Sequence, residues 1–118
     1  MVYRFCVASD ARNDDAYHDI ENSLAYAAYL LERDPEAAML LVNAALPAMV
    51  DAWYAQQGEY PPARDQMLRD LAERVPEIAD VLRQALRVAD ARARVHSAQR
   101  LLALLRGQDE VAARERVS

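Results

Sequence analysis

The sequence predicts an all-α protein, an up-and-down bundle of four to five helices preceded by a short extended segment. Three observations predict it. Apolar residues recur at three- and four-residue spacing through most of the 118 residues. Proline stands at the first position of a helical pattern in both Asp34-Pro35 and Val75-Pro76. The two glycines, Gly58 and Gly107, each fall where an apolar-periodic stretch ends. By length the chain is a single domain over residues 1–118.

Residues 2–9, VYRFCVAS, are β-compatible, with Tyr3, Phe5 and Val7 on one side. With no second strand signal to pair with, residues 1–13 are expected to lie extended against the helices or to pair with another chain. A first helix is predicted from about Asp14 to Arg33. Asn13 or Asp14 caps it, and the acids at 14, 15, 19 and 21 suit the positive end of its dipole. Its stripe is Tyr17, Ile20, Leu24, Ala27 and Leu31, broadened by Tyr26, Tyr29 and Leu30.

Residues 36–57 form the most apolar stretch and the predicted central helix. Met39, Val42, Leu46, Met49 and Trp53 share one face, and Leu41, Ala45 and Ala48, with Leu40 and Ala44 beside them, widen it. A helix so apolar is expected to have neighbours on several sides. The tight Asp34-Pro35 turn makes it antiparallel to the first helix. Gly58 ends it, and Tyr60-Pro61-Pro62 cannot start a helix. A short third helix, about Ala63 to Arg74, carries Met67, Leu68, Leu71 and Ala72. From Pro76 a helical pattern runs to Arg106, as one bent helix or as two with a break near Asp90. Gly107 is expected to stop it, leaving 108–118 as a charged, frayed tail.

Composition narrows the function classes. An apolar fraction of 53% with two glycines fits a packed globular chain and not a disordered one. All fourteen basic residues are arginine, a bias that fits a GC-rich, bacterial genome. A lone Cys6 excludes an internal disulfide and fits a reducing compartment. No signal-peptide pattern opens the sequence. The apolar run from Ala37 to Val50 is broken by Asn43 and Pro47 and falls short of the ~20 residues of a bilayer span. A soluble cytoplasmic protein is therefore expected. The net charge of −5 is uneven: residues 1–60 hold ten acids against Arg4, Arg12 and Arg33, whereas residues 81–106 hold six arginines against Asp90. An acidic half favours a cationic ligand or basic partner, and a mixed-charge soluble surface explains the same numbers.

Few constellations suggest chemistry. A di-metal bundle needs Glu-x-x-His pairs, and none occurs; His18 and Glu21 share the polar face of the first helix with Asp14, Asp15 and Asn22. No metal site, no cofactor and no catalytic residue is implied, which points away from an enzyme. His96 lies one turn from Arg92 and Arg100 and is expected to be an exposed or rim residue, not a catalytic base. The six late arginines could meet phosphates, but no aromatic residue interleaves them, so nucleic-acid binding is disfavoured. The most distinctive chemistry lies in the central helix. Pro47 lacks an N–H, so the Asn43 carbonyl loses its helical partner, with Asp51 and Tyr54 one and two turns beyond Pro47. Asn43, Asp51 and Tyr54, leading into Tyr60, form the candidate ligand-binding seam. A kink satisfied inside the bundle accounts for the same residues.

Two stretches resemble known families. Arg12-Asn13 and His18 resemble the loosely spaced Arg and His of the ribonuclease motif in HEPN proteins, which would make the chain a dimeric ribonuclease or toxin using Arg12 and His18. The run WYAQQGEYPPARDQML, then Pro76-Glu77 and another helix, resembles the helical C-terminal domain of kanamycin-type nucleotidyltransferases and related accessory proteins, within the HEPN-like class. There, an apolar helix ends in Gly-x-Tyr/Phe-Pro; Gly58-Glu59-Tyr60-Pro61-Pro62 and Met67-Leu68 hold those places here. The likeness covers residues 53–82 by pattern and 24–106 by helix order. It implies a non-catalytic bundle, as a homodimer, binding substrate or partner for a separate nucleotidyltransferase. The Gly-Ser motif and paired aspartates of that family's catalytic half are missing here. A purely dimerising regulatory bundle is the third reading.

Overall fold

The computed structural model describes the backbone of residues 17–117 and the side chains of residues 17–108. These form an all-α bundle of α1 (residues 17–30), α2 (Pro35–Gln56), α3 (Arg64–Arg74), α4 (Pro76–Arg87) and α5 (Ala91–Val117), with no strand among the described residues. The expected extended segment 1–13 lies outside the described residues, and with it Arg12 and Cys6.

Local chemistry explains the joints. Asp34 caps α2, its Oδ1 accepting from Ala37 N–H at 3.1 Å, with Pro35 at the first helical position. At the other end Glu59 N–H donates to Tyr54 C=O and Gly58 N–H to Ala55 C=O, with Gly58 at φ 74°. This paired bonding around a left-handed glycine is a Schellman stop. The pattern from Pro76 resolves into two helices. Asp90 breaks it, its Oδ2 accepting from Ala93 N–H at 2.9 Å to begin α5.

α5 is the hub. Val95, Ala98, Leu101, Leu102 and Leu105 are buried along one side, and α2 and α4 both pack on it, with α3 on α4. α1 crosses α5 antiparallel: Glu21 meets Arg106 at 3.2 Å, and Glu32 meets Arg92 at 3.5 Å. Tyr17, Ile20, Leu24 and Ala27 carry α1 into the same core.

Two expectations are corrected. Gly107 does not stop the last helix, which runs to Val117 through the stretch expected to be a frayed tail. Gly107 has no positive φ, and a single glycine costs a helix only about 1 kcal/mol, which strong helix formers on both sides outweigh. The second concerns α2. Its core face, including Val42, Leu46, Met49 and Trp53, is buried; of the residues expected to widen it, Ala45 is buried and Leu41 half-buried, but Leu40 is 73% exposed, and Ala44 and Ala48 are exposed with it. The core lies along one side of α2, so the apolar residues opposite face outward. By length and composition, α2 at 22 residues could cross a membrane, more than the interrupted run predicted, yet half of its apolar window is buried in the bundle.

The two glycines give opposite predictions. A Cβ at either position meets nothing within 4 Å, so backbone conformation alone decides. Gly58→Ala, forced to a positive φ, should lose about 1–2 kcal/mol, whereas Gly107→Ala should gain roughly 0.5–1 kcal/mol, both read from urea unfolding midpoints.

Candidate functional site

The polar groups of α2 fall into two separate clusters. The first lies at its C-terminal end, where α3 folds back. Tyr54 is buried on α2 and its hydroxyl donates to Asp70 on α3 in a short hydrogen bond. Arg74, one turn beyond Asp70, donates to it at 3.3 Å and forms a two-pronged pair with Glu59 at 2.8 Å on each arm. Its guanidinium also sits over the rings of Trp53 and Tyr54, at 5.3 and 5.6 Å from their centroids, and those two rings meet edge to face. Asp51 accepts a second two-pronged pair from Arg64, at 2.8 and 2.9 Å. α3 is thus fastened to α2 by one arginine fork and one phenol, and to the loop between them by the second fork. Among the described residues, Trp53 Nε1 is the one buried side-chain polar atom found without a hydrogen-bond partner.

The environment of Tyr54 keeps its phenol neutral. Burial comes first, then the hydrogen bond and negative charge of Asp70; together they raise its pKa well above the usual tyrosine value, against a smaller opposing effect of Arg74. The same fork arrangement holds the Arg64 guanidinium charged beside Asp51, and Arg74 beside Glu59.

The second cluster is at mid-helix. Asn43 Oδ1 accepts from Arg94 Nη1 at 2.7 Å, and the same guanidinium donates to the carbonyls of Leu86 and Val88 at the end of α4. Arg94 therefore closes the carbonyl end of α4 and ties it to α2.

Of the four residues singled out in the sequence, the structure ties Asn43 to α5 and Asp51 and Tyr54 to α3, and leaves Tyr60 96% exposed. Each of the first three has a protein partner. Sequence reasoning missed the partners. Asp70 and Arg74 stand four apart on one helix, a spacing that signals an ion pair; nothing local signalled that Arg64 would reach Asp51 or that Arg94 would reach Asn43.

Elsewhere, a groove of about 340 Å³ opens between α1 and α5, floored by Leu24 and Leu102 with Ala25 and Ala103 at its sides. The Glu21–Arg106 pair spans it, and Arg106 lies over the Tyr17 ring at 5.8 Å. His18 is exposed, its Nδ1 3.9 Å from Glu21, and His96 is exposed on α5. Among the described residues no three His, Cys, Asp or Glu side chains gather as a metal site would require. The fold and these clusters define a helical bundle braced by arginine, and no more specific class. Comparison with known proteins found no matching family model, curated protein or solved structure.

Tyr54→Phe should cost about 1.5–3 kcal/mol at neutral pH, the range of a hydrogen bond to a charged group. Because the folded-state pKa is raised, that contribution is complete below the unfolded value near 10 and is lost as pH climbs above it. Wild-type stability should therefore fall more steeply above about pH 10 than that of the Phe variant, as urea titrations at a series of pH values would show.

Proposed function

We propose that this protein is a non-catalytic helical module that binds a macromolecular partner through the outward face of α2. The observation that carries the reading is Leu40, 73% exposed in a row with Ala44 and Ala48. Residues 37–50 include no ionisable side chain at all, on any side of the helix. A helix whose outer face merely met water would carry charge there, as α1 does with Asp19 and Glu21. Contiguous outward apolar surface marks an interaction site where single exposed leucines do not.

The polar seam supports partner binding over small-molecule binding. A pocket for a cationic substrate needs convergent carboxylates with free lone pairs, and Asp51 and Asp70 already accept from Arg64, Tyr54 and Arg74. The finer reading, that the partner is a nucleotidyltransferase, rests on the resemblance of residues 53–82. Within that stretch Gly58 serves as a helix stop and Tyr60 stands in solvent, available to such a partner.

A nucleotidyltransferase encoded beside this chain is the first partner to titrate, by calorimetry, against wild type, Leu40→Glu and Tyr60→Ala. Leu40→Glu should weaken binding at least about tenfold, the equivalent of 1.4 kcal/mol, with its helical circular dichroism unchanged. Undiminished binding by a folded Leu40→Glu variant would refute the role of α2, and absence of binding by wild type would remove the nucleotidyltransferase as partner.

A further inference from the structure

We propose that the groove between α1 and α5 binds a small monocarboxylate with an aliphatic tail, its carboxylate on Arg106 and its tail on Leu24 and Leu102. At about 340 Å³ the groove lies within the roughly 300–1,000 Å³ of small-molecule clefts, near the lower end. Its lining residues all belong to α1 and α5, so this site stands apart from the outward face of α2 and the two readings can fail separately. Small residues hold it open: Ala25 on α1 and Ala103 on α5 are exposed at its sides, above the buried Leu24 and Leu102. Gln99 and Arg106 are the first and last α5 residues to line it, seven positions and about 10 Å apart. That is the length of an extended chain of roughly eight carbons.

The head group follows from how Arg106 is held. Arg64 and Arg74 each grip a carboxylate with both arms, at 2.8–2.9 Å. Arg106 reaches Glu21 with one arm, Nη1 to Oε2 at 3.2 Å. Such a loose contact between partly exposed side chains contributes little. The buried Tyr17 ring backs the Arg106 guanidinium at 5.8 Å and steadies it beside the groove. Glu21 is the freer partner: its side chain is 54% exposed against 34% for Arg106, and its Oε1 lies 3.9 Å from His18 Nδ1. A ligand carboxylate offering both oxygens to the fork therefore displaces Glu21 toward His18 and solvent, and forms the two-pronged geometry that the internal pair lacks.

Charge sets the ligand class. Arg106 is the one cation among the lining residues, which suits a single negative charge, whereas a phosphate ester calls for further donors. α5 adds to the bias, since residues 91–108 carry Arg92, Arg94, Arg100 and Arg106 and no acid. Leu24, Ala25, Leu102 and Ala103 offer the tail only apolar surface, with the Gln99 amide at the far end. An amine would have to pair with Glu21 and take away the carboxylate that Arg106 now meets. A carboxylate costs the groove less, because it leaves Glu21 in water with His18 beside it.

Heteronuclear NMR of the full chain titrated with octanoate tests the site. Octanoate should move the amide signals of Ala25, Gln99 and Ala103 and the Arg106 Nε–Hε signal, with a Kd on the order of 0.1–1 mM for a ligand of about ten non-hydrogen atoms. Octanol and octylamine should bind at least about tenfold more weakly. Arg106→Gln should lower octanoate affinity about tenfold or more. Ala103→Leu, which fills the groove from an exposed position, should abolish binding. Glu21→Gln should raise affinity roughly threefold, because it removes the internal competitor; a merely structural Glu21 would leave affinity unchanged or lower it. All three variants should keep the helical circular dichroism of wild type. Absence of these shifts in wild type at millimolar octanoate would overturn the proposal, as would octylamine binding as tightly as octanoate. Undiminished binding by folded Arg106→Gln or Ala103→Leu, or no gain in Glu21→Gln, would overturn it equally.

Discussion

Burial of the α5 stripe is the constraint on which the bundle depends. Val95, Ala98, Leu101 and Leu105 are all but inaccessible, and α2 and α4 pack on that helix while α1 crosses it. α3 reaches the core at one remove, through α4 and through Met67 and Leu71. Small residues make this possible. Ala98 on α5 and Ala38 and Ala45 on α2 are buried in the core, where side chains of one carbon let helices approach closely. Nonlocal association of this kind, more than intrinsic propensity, holds helices of eleven or twelve residues such as α3 and α4 together.

Arginine does the remaining fastening. The uneven charge of the sequence is met in part inside the chain, where Glu21 and Glu32 pair with Arg106 and Arg92 of α5. Those exposed pairs contribute little individually. Arg94 differs, because it meets two carbonyls that α4 leaves without helical partners and an amide from α2. Arg74 differs too, joining a carboxylate fork to two aromatic faces. A lysine in either place could not form the planar, multiple contacts that a guanidinium forms.

Much of the fold was legible because its signals are local. Asp34-Pro35 contains its own cap and first-turn proline, and the apolar stripe of α1 names Tyr17, Ile20, Leu24 and Ala27, all buried. Gly58 and Gly107 looked alike in sequence and differ in the structure. A glycine stops a helix only where the chain turns left-handed, and the residues after it decide whether it does. Tyr60-Pro61-Pro62 after Gly58 cannot continue a helix, whereas residues 108–117 can. The seam was half legible. The sequence marked Asn43, Asp51 and Tyr54 as polar groups in an apolar helix needing partners, but those partners come from residues 13 to 51 positions away. The outward row of α2 was misread for a related reason: periodicity reports which residues share a face, and only tertiary structure reports how many faces have neighbours.

An α-helix apolar nearly all round has three places to be: inside a core, in lipid, or between two proteins. α2 uses the first on one side, with Val42, Leu46 and Met49 buried, so the question narrows to its other side. Arg94 bears on lipid. Its guanidinium lies against Asn43, close to the middle of the Pro35–Gln56 helix, and Arg64 sits on Asp51 two turns further on. Were α2 spanning a bilayer, the first of these charges would stand near the hydrocarbon centre, where a charged side chain costs about 2.5–3.5 kcal/mol or more. Within the bundle both guanidiniums have polar partners instead, Arg94 on Asn43 and the end of α4, and Arg64 on Asp51. The ties that engage Asn43, Asp51 and Tyr54 thus leave Leu40, Ala44 and Ala48 as the exposed side of α2.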